Sequence, residues 1–182
     1  MEASRLNAVI QFWFVELSSS DWFGKNPAVD QLIKQRFAGL HSALVQGEGQ
    51  ELACSGVNVL SQVIVLDQFS RNIYRDDGRA FAFDDQALAL SRQAIEQGWD
   101  EALKDDQRAF LYMPFMHSER AEVHEQALAL FGRLDNKNYL EFEYKHKAII
   151  DRFGRYPHRN KLLNRVSTDE ERAFLATPGS SF

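Results

Sequence analysis

Three stretches of the chain gather side chains that can move protons or hold charge. Asp67, Gln68, Arg71 and Asn72 form the first, with Asp67/Arg71 and Gln68/Asn72 each four residues apart. On a helix that spacing stacks the members of each pair one turn apart, so a carboxylate sits by a guanidinium and two amides lie beside them. Such a group can floor a polar pocket, or it can simply support the helix as an ion pair and an amide pair. The second stretch, His117-Ser118-Glu119, offers a base, a hydroxyl and an acid. Consecutive helical residues point apart, so no nucleophile triad follows from their adjacency, and Ser118 reads first as a helix cap. The third, Phe153 to Asn160, sets Arg155, His158, Arg159 and Asn160 around Gly154 and Pro157. Glycine stops a helix by taking positive φ and proline opens the next, so these side chains ride on a stiff corner. A helix starting at Pro157 would point free N–H groups at Arg155, His158 and Arg159, which is the chemistry of an anion site. The same arginines can instead tie down carboxylates such as Asp67 or Glu119.

Metal and cofactor chemistry find less support. His117, His124, His146 and His158 are spaced like no metal signature, and Cys54 pairs with none of them in a zinc pattern. Gly24-Lys25-Asn26 lacks both the upstream glycine and the hydroxyl residue of a phosphate loop. Neither a metal nor a cofactor is expected.

Helices must position these groups. Leu6, Val9 or Ile10, Trp13 and Leu17 share a face of a first helix over residues 5–17, followed by a turn at Ser18 to Phe23. Asn26-Pro27 reads as cap and first helical residue of a second, closed by Gly47. Residues 57–74 contain the β-branched run Val63-Ile64-Val65-Leu66, but their length and the shared face of Leu60, Ile64, Asp67, Arg71 and Tyr74 indicate helix. Asp84 and Asp105 read as caps of the next two helices, and Pro114 kinks or ends the second of these. Ser118 would cap the one after. A long helix carries the stripe Tyr139, Phe142, His146, Ile149 and Phe153 to Gly154. A short helix from Pro157 to Leu163 follows, and Thr168 with Glu171 has capping-box spacing for the last. The fold class is therefore all-α, with about eight or nine helices packed as antiparallel hairpins. Gln86-Ala87-Leu88-Ala89-Leu90 recurs as Gln126-Ala127-Leu128-Ala129-Leu130, a spacing that tilts the reading toward stacked hairpins.

No Ser, Gly or Pro tract divides the chain before Thr177, so the sequence predicts one helical domain over 1–176 and a flexible tail over 177–182. The single cysteine, Cys54, excludes an internal disulfide, fits a reducing compartment, and is expected to be buried. The N-terminal apolar run is too short to span a bilayer and lacks a cleavage site, which predicts a cytoplasmic protein without a membrane partner. A net charge of −5 argues against nucleic acid as a partner. The charge is uneven, however: Lys145 to Arg165 holds seven basic residues and one acid, and the third stretch lies inside that block.

Leu66-Asp67-Gln68-Phe69-Ser70-Arg71-Asn72, Phe110 to Glu119 and Arg152 to Asn160, in that order, resemble a bacterial family catalogued as domain of unknown function 924. The resemblance covers nearly the whole chain, from Phe12-Trp13-Phe14 to Phe174-Leu175. It implies an all-helical fold similar to tetratricopeptide repeats, takes Val63 to Leu66 as helix, and brings no assigned activity. Ser70 stands where the family motif usually has proline, and Asn164 where it usually has glycine.

Three functional classes follow. The first is a helical-repeat protein that binds a small anionic ligand or a peptide carboxylate in a polar groove, using Arg155, His158, Arg159, Asn160, Arg71, Gln68 and Asn72. The second is a hydrolase-type enzyme with His117 or His158 as general base and Asp67 or Glu119 as orienter. The third is a protein-interaction scaffold whose motifs are purely structural. The sequence does not specify an oligomeric state.

Overall fold

Leu6 and Val9 stand one turn apart on α1 (Ala3–Gln11), and both are buried. The chain then enters a π-helical turn, Phe12–Glu16, whose wider winding brings the consecutive rings of Phe12 and Trp13 both inward. That is why Phe12 joins the buried face although a regular helical period leaves it out. The computed structural model describes residues 3–180. Ser18 to Phe23 is not a plain turn but a short helix, α2 (Ser19–Phe23), because the Asp21 carboxylate accepts from the Ser18 N–H at 3.0 Å and caps its first turn. Trp22 Nε1 donates to the Trp13 carbonyl at 2.8 Å and fastens α2 to the π turn.

α3 (Pro27–Val45) starts where Asn26-Pro27 indicated, with Asn26 Oδ1 accepting from the Ala28 N–H at 3.1 Å. Cys54 lies just before Ser55, the cap of the following helix, and is exposed rather than buried. α4 (Gly56–Val63), a second π turn (Ile64–Phe69) and α5 (Ser70–Ile73) run on as one helical rod. The β-branched run is thus helical, and Ser70, with no proline ring to interrupt the rod, donates Oγ–H to the Leu66 carbonyl at 2.5 Å. The two π turns face each other through rings: Phe12 and Trp13 lie 6.1 Å and 5.6 Å from Phe69, centroid to centroid.

α6 (Asp84–Glu96), α7 (Asp105–Met116), α8 (Ala121–Phe131) and α9 (Lys137–Phe153) follow, each packed on the next, while α4 packs on α1, α6 and α7. The repeated pentapeptide lies on α6 and α8, the two helices that flank α7, and its Ala87 and Ala127 are both fully buried. α7 ends at Met116, two residues past Pro114. Asp105 does not cap it, because Lys104 holds the cap position and the Asp105 carboxylate accepts from the N–H groups of Asp135 and Asn136, each at 3.1 Å. Gly154 closes α9 at φ +68°, as its position in the sequence indicated. α10 (Asp169–Leu175) opens on the capping box: Thr168 Oγ1 accepts from the Glu171 N–H at 3.1 Å, and Glu171 Oε2 from the Thr168 N–H at 2.7 Å.

The protein is all-α. With the rod through residues 56–73 counted once, the ten α-helical stretches make nine helices among the described residues. Thr177 to Ser180 turn back on α10, where Ser180 Oγ donates to the Leu175 carbonyl at 3.2 Å; the last two residues of the expected tail lie outside the described residues. No helix among the described residues is long and apolar enough to cross a membrane.

Candidate functional site

The second π turn carries Asp67, whose side chain is completely buried. One turn on, Arg71 donates Nη1–H to the Asp67 carbonyl at 2.7 Å and comes within 3.1 Å of its Oδ1. Gln68 donates to Asp67 Oδ2 at 2.5 Å and rests against Met113 Sδ at 3.6 Å. From the end of α7, fifty residues away in sequence, His117 brings Nδ1 to 2.7 Å from Asp67 Oδ1. The first and second stretches therefore meet at one carboxylate.

The electrostatics of this contact fix its protons. Burial alone would raise the Asp67 pKa, but the Arg71 and His117 charges and the donors from His117 and Gln68 outweigh it and hold the carboxyl well below the usual range. Burial lowers His117, helped by the Arg71 charge, and the attraction of Asp67 does not reverse the shift. Near neutral pH the imidazole is therefore uncharged and donates Nδ1–H to an ionised carboxylate. Its lone pair is left on Nε2, which makes no hydrogen bond among the described residues and is not a buried atom. The side chain is 16% exposed, so that edge faces solvent.

Asp84 joins the third stretch to the other two. It occupies the first position of α6 rather than its cap, and its carboxylate takes the Arg71 fork at 3.0 and 3.1 Å. Arg159 donates Nη1–H to the same carboxylate at 3.1 Å and Nη2–H to the His117 carbonyl at 3.0 Å. Its guanidinium lies between the rings of Phe81 and Tyr156, at 4.5 and 4.7 Å from their centroids. Burial lowers the Arg159 pKa, and its Nε–H has no hydrogen-bond partner among the described residues. Asp84 carried no functional expectation; the signal in the sequence was a carboxylate at a helix start in a chain with two arginines awaiting a partner.

The remaining candidates are engaged elsewhere. Pro157 opens a three-residue 3₁₀ turn, Pro157–Arg159, not a helix to Leu163, so the corner offers no helix end to an anion. Arg155 is paired with Glu171 at 2.7 and 2.9 Å and also donates to the Val166 carbonyl. Asn160 donates to Ser167 Oγ at 3.0 Å and to Glu171 Oε2 at 3.3 Å, and accepts from Arg165 Nε at 2.9 Å. Glu119 accepts the Tyr156 N–H at 2.7 Å and both Arg165 amino groups at 2.5 and 2.9 Å, so it ties the corner to the start of α8 and does not orient a histidine. Ser118 Oγ accepts from the Arg120 N–H at 3.2 Å in the turn before α8, whose cap position is Arg120. Asn72 belongs to a separate cluster, donating to Asp30 at 2.8 Å beside the Arg75 fork on the same carboxylate.

Three of the other histidines surround Tyr156. The rings of His124, His146 and His158 lie 6.3, 5.7 and 5.5 Å from its centroid. His124 bridges the Ser118 carbonyl at 2.8 Å and Glu143 Oε1 at 2.7 Å with both partners buried, and burial raises Glu143. His146 contacts the Phe142 carbonyl at 2.8 Å. Burial, with the neighbouring positive charges, brings His146 down to about 3 and His158 to about 4. No cluster of His, Cys, Asp or Glu among the described residues has the geometry to hold a metal.

Fold and site together define an all-helical protein in which three separated motifs meet at a buried centre of two carboxylates, two arginines and one solvent-facing histidine. The chain belongs to the family described as bacterial protein of unknown function, DUF924, whose model matches residues 9–179. A solved structure of a protein of unknown function from Agrobacterium tumefaciens is similar at 34% identity, over 96% of this chain and 98% of that one, with a TM-score of 0.91. No curated protein matches the chain.

Proposed function

We propose that the protein is an enzyme of the hydrolase type in which His117 is the general base and Asp67 its positioning residue. One observation carries this reading: Nδ1 of His117 is held at 2.7 Å by a fully buried carboxylate, while Nε2 of the same partly exposed ring makes no hydrogen bond among the described residues. A base needs a free lone pair, a fixed tautomer and a pKa low enough to be unprotonated at working pH. The Asp67 contact supplies the second, and burial supplies the third. Anion binding by the two arginines has less support, because both guanidiniums are committed to Asp84.

The test pairs chemistry with mapping. Chromogenic carboxylate and phosphate esters are assayed with wild type, His117→Asn and Asp67→Asn, each first checked for a cooperative melt. The expected result is a turnover that falls by about 10²–10⁴ in His117→Asn. Diethyl pyrocarbonate with mass-spectrometric mapping should modify His117 and spare the buried His124 and His146. Protection of His117 from the reagent, or an ester activity unchanged by His117→Asn, would overturn the proposal.

A further inference from the structure

A cleft of about 370 Å³ opens between the loop after α3, the rod through residues 56–73 and α6. That volume lies in the range of small-molecule sites. Leu44, Leu66 and Leu90 form an apolar lining, and Gln62, Gln86, Gln93 and Glu48 supply its polar groups; no lysine or arginine lines it.

The three glutamines share one arrangement. Gln62 donates Nε2–H to the Gly49 carbonyl at 3.1 Å, Gln86 to that of Leu44 at 3.2 Å, and Gln93 to that of Ala53 at 3.4 Å. A main-chain carbonyl only accepts, so the amide nitrogen must be the donor in each case and the orientation of each side chain is fixed. One N–H of each amide is thereby spent on pinning the 44–53 loop, and one remains on each. The three oxygens, on the other side of each amide, make no hydrogen bond among the described residues. With the Glu48 carboxylate the cleft holds four acceptor groups, one of them charged, above an aliphatic lining.

We propose that this cleft binds a small aliphatic amine, its ammonium held by Glu48 and the glutamine oxygens and its methylenes against the leucines. An ammonium carries three donors and no acceptor, which complements a cleft whose side-chain oxygens are unspent. A carboxylate or phosphate finds no cationic partner there. The site is separate from His117 and does not depend on the enzymatic reading.

Isothermal titration calorimetry with putrescine and spermidine, against n-butanol and glutarate, tests it. Both amines should bind, the tighter at low ionic strength, with butanol and glutarate giving no saturable heat. Glu48→Gln should weaken binding about fivefold, the effect of one exposed charge partner. Ala89→Trp fills the cleft from an exposed position of α6, so it should abolish binding while the melting temperature stays near that of wild type. Absence of amine binding to wild type, equal binding of butanol, or spermidine binding retained in Ala89→Trp would each overturn the proposal.

Discussion

Lowering the pH from 7 to 5 should cost this protein about 4 kcal/mol of folding stability, mainly through His146 and His158. Both are neutral in the fold because burial depresses them, to about 3 and about 4, from an ordinary 6.5. A histidine depressed in the folded state contributes stability that is present above its unfolded pKa and lost as pH falls toward the folded one. At pH 5 the unfolded imidazole is almost fully protonated and the folded one is not, which is worth about 2 kcal/mol for each of the two residues. His41 and His117 are also lowered, chiefly by burial, and add in the same direction. Glu143 works against them: burial raises it, so acid favours its folded form. Asp67 and Glu119 are held below their ordinary values of 3.8 and 4.5, and their contribution is lost only as pH falls below those values. The pH 5 to 7 window therefore belongs to the histidines. Urea titrations at pH 7, 6 and 5, at constant ionic strength, measure the effect directly; a thermal scan should fall by roughly 10 °C for a chain of this size. Near pH 5 unfolding should take up about two protons or more, and His146→Phe should reduce that by about one. A stability constant within about 1 kcal/mol across the window would refute the argument.

Two further outcomes follow from the packing. Gly56→Ala would place a Cβ 2.3 Å from the Trp99 carbonyl oxygen, a main-chain atom that cannot swing aside, and should cost about 2–3 kcal/mol in a urea titration. Glu119→Ala would remove the carboxylate partner of Arg165, leave its Nη1 and the Tyr156 N–H without their acceptor, and should cost about 2–3 kcal/mol, without changing the reactivity of His117 toward diethyl pyrocarbonate.

The helices were legible in the sequence because their signals are local. Asn26-Pro27, Gly154 and the Thr168/Glu171 box each act within one turn, and each holds in the structure. The π turns were not legible, since one extra residue in a turn leaves no compositional trace, and the burial of Phe12 was missed with them. The short corner after Gly154 was read as too long a helix because Pro157 marks where a helical φ begins and not how many residues continue it. Of the site, every member but Asp84 was legible and most of the pairings were not. The contact of His117 with Asp67 was among the expected pairings, although it spans fifty residues. Glu171 and Asp84, the actual partners of Arg155 and Arg159, were read only as parts of helix starts.

The charges of the centre also decide what chemistry it can support. Asp67 and Asp84 match Arg71 and Arg159 one for one, and each guanidinium is already hydrogen-bonded to a carboxylate or a main-chain carbonyl. An incoming anion would have to displace Asp84 from the fork of Arg71 and from Arg159 at once, leaving a carboxylate unpaired in a largely buried place, which is costly. A neutral group meeting His117 Nε2 breaks no hydrogen bond among the described residues. On the proposed reading the arginines act on Asp67, His117 and the corner rather than on a ligand. Arg71 keeps the buried carboxylate ionised, and Arg159 holds the His117 carbonyl so that the ring stays over Asp67. In that division of roles the lone pair on His117 Nε2, which makes no hydrogen bond among the described residues, is the one that the proposed general base would use.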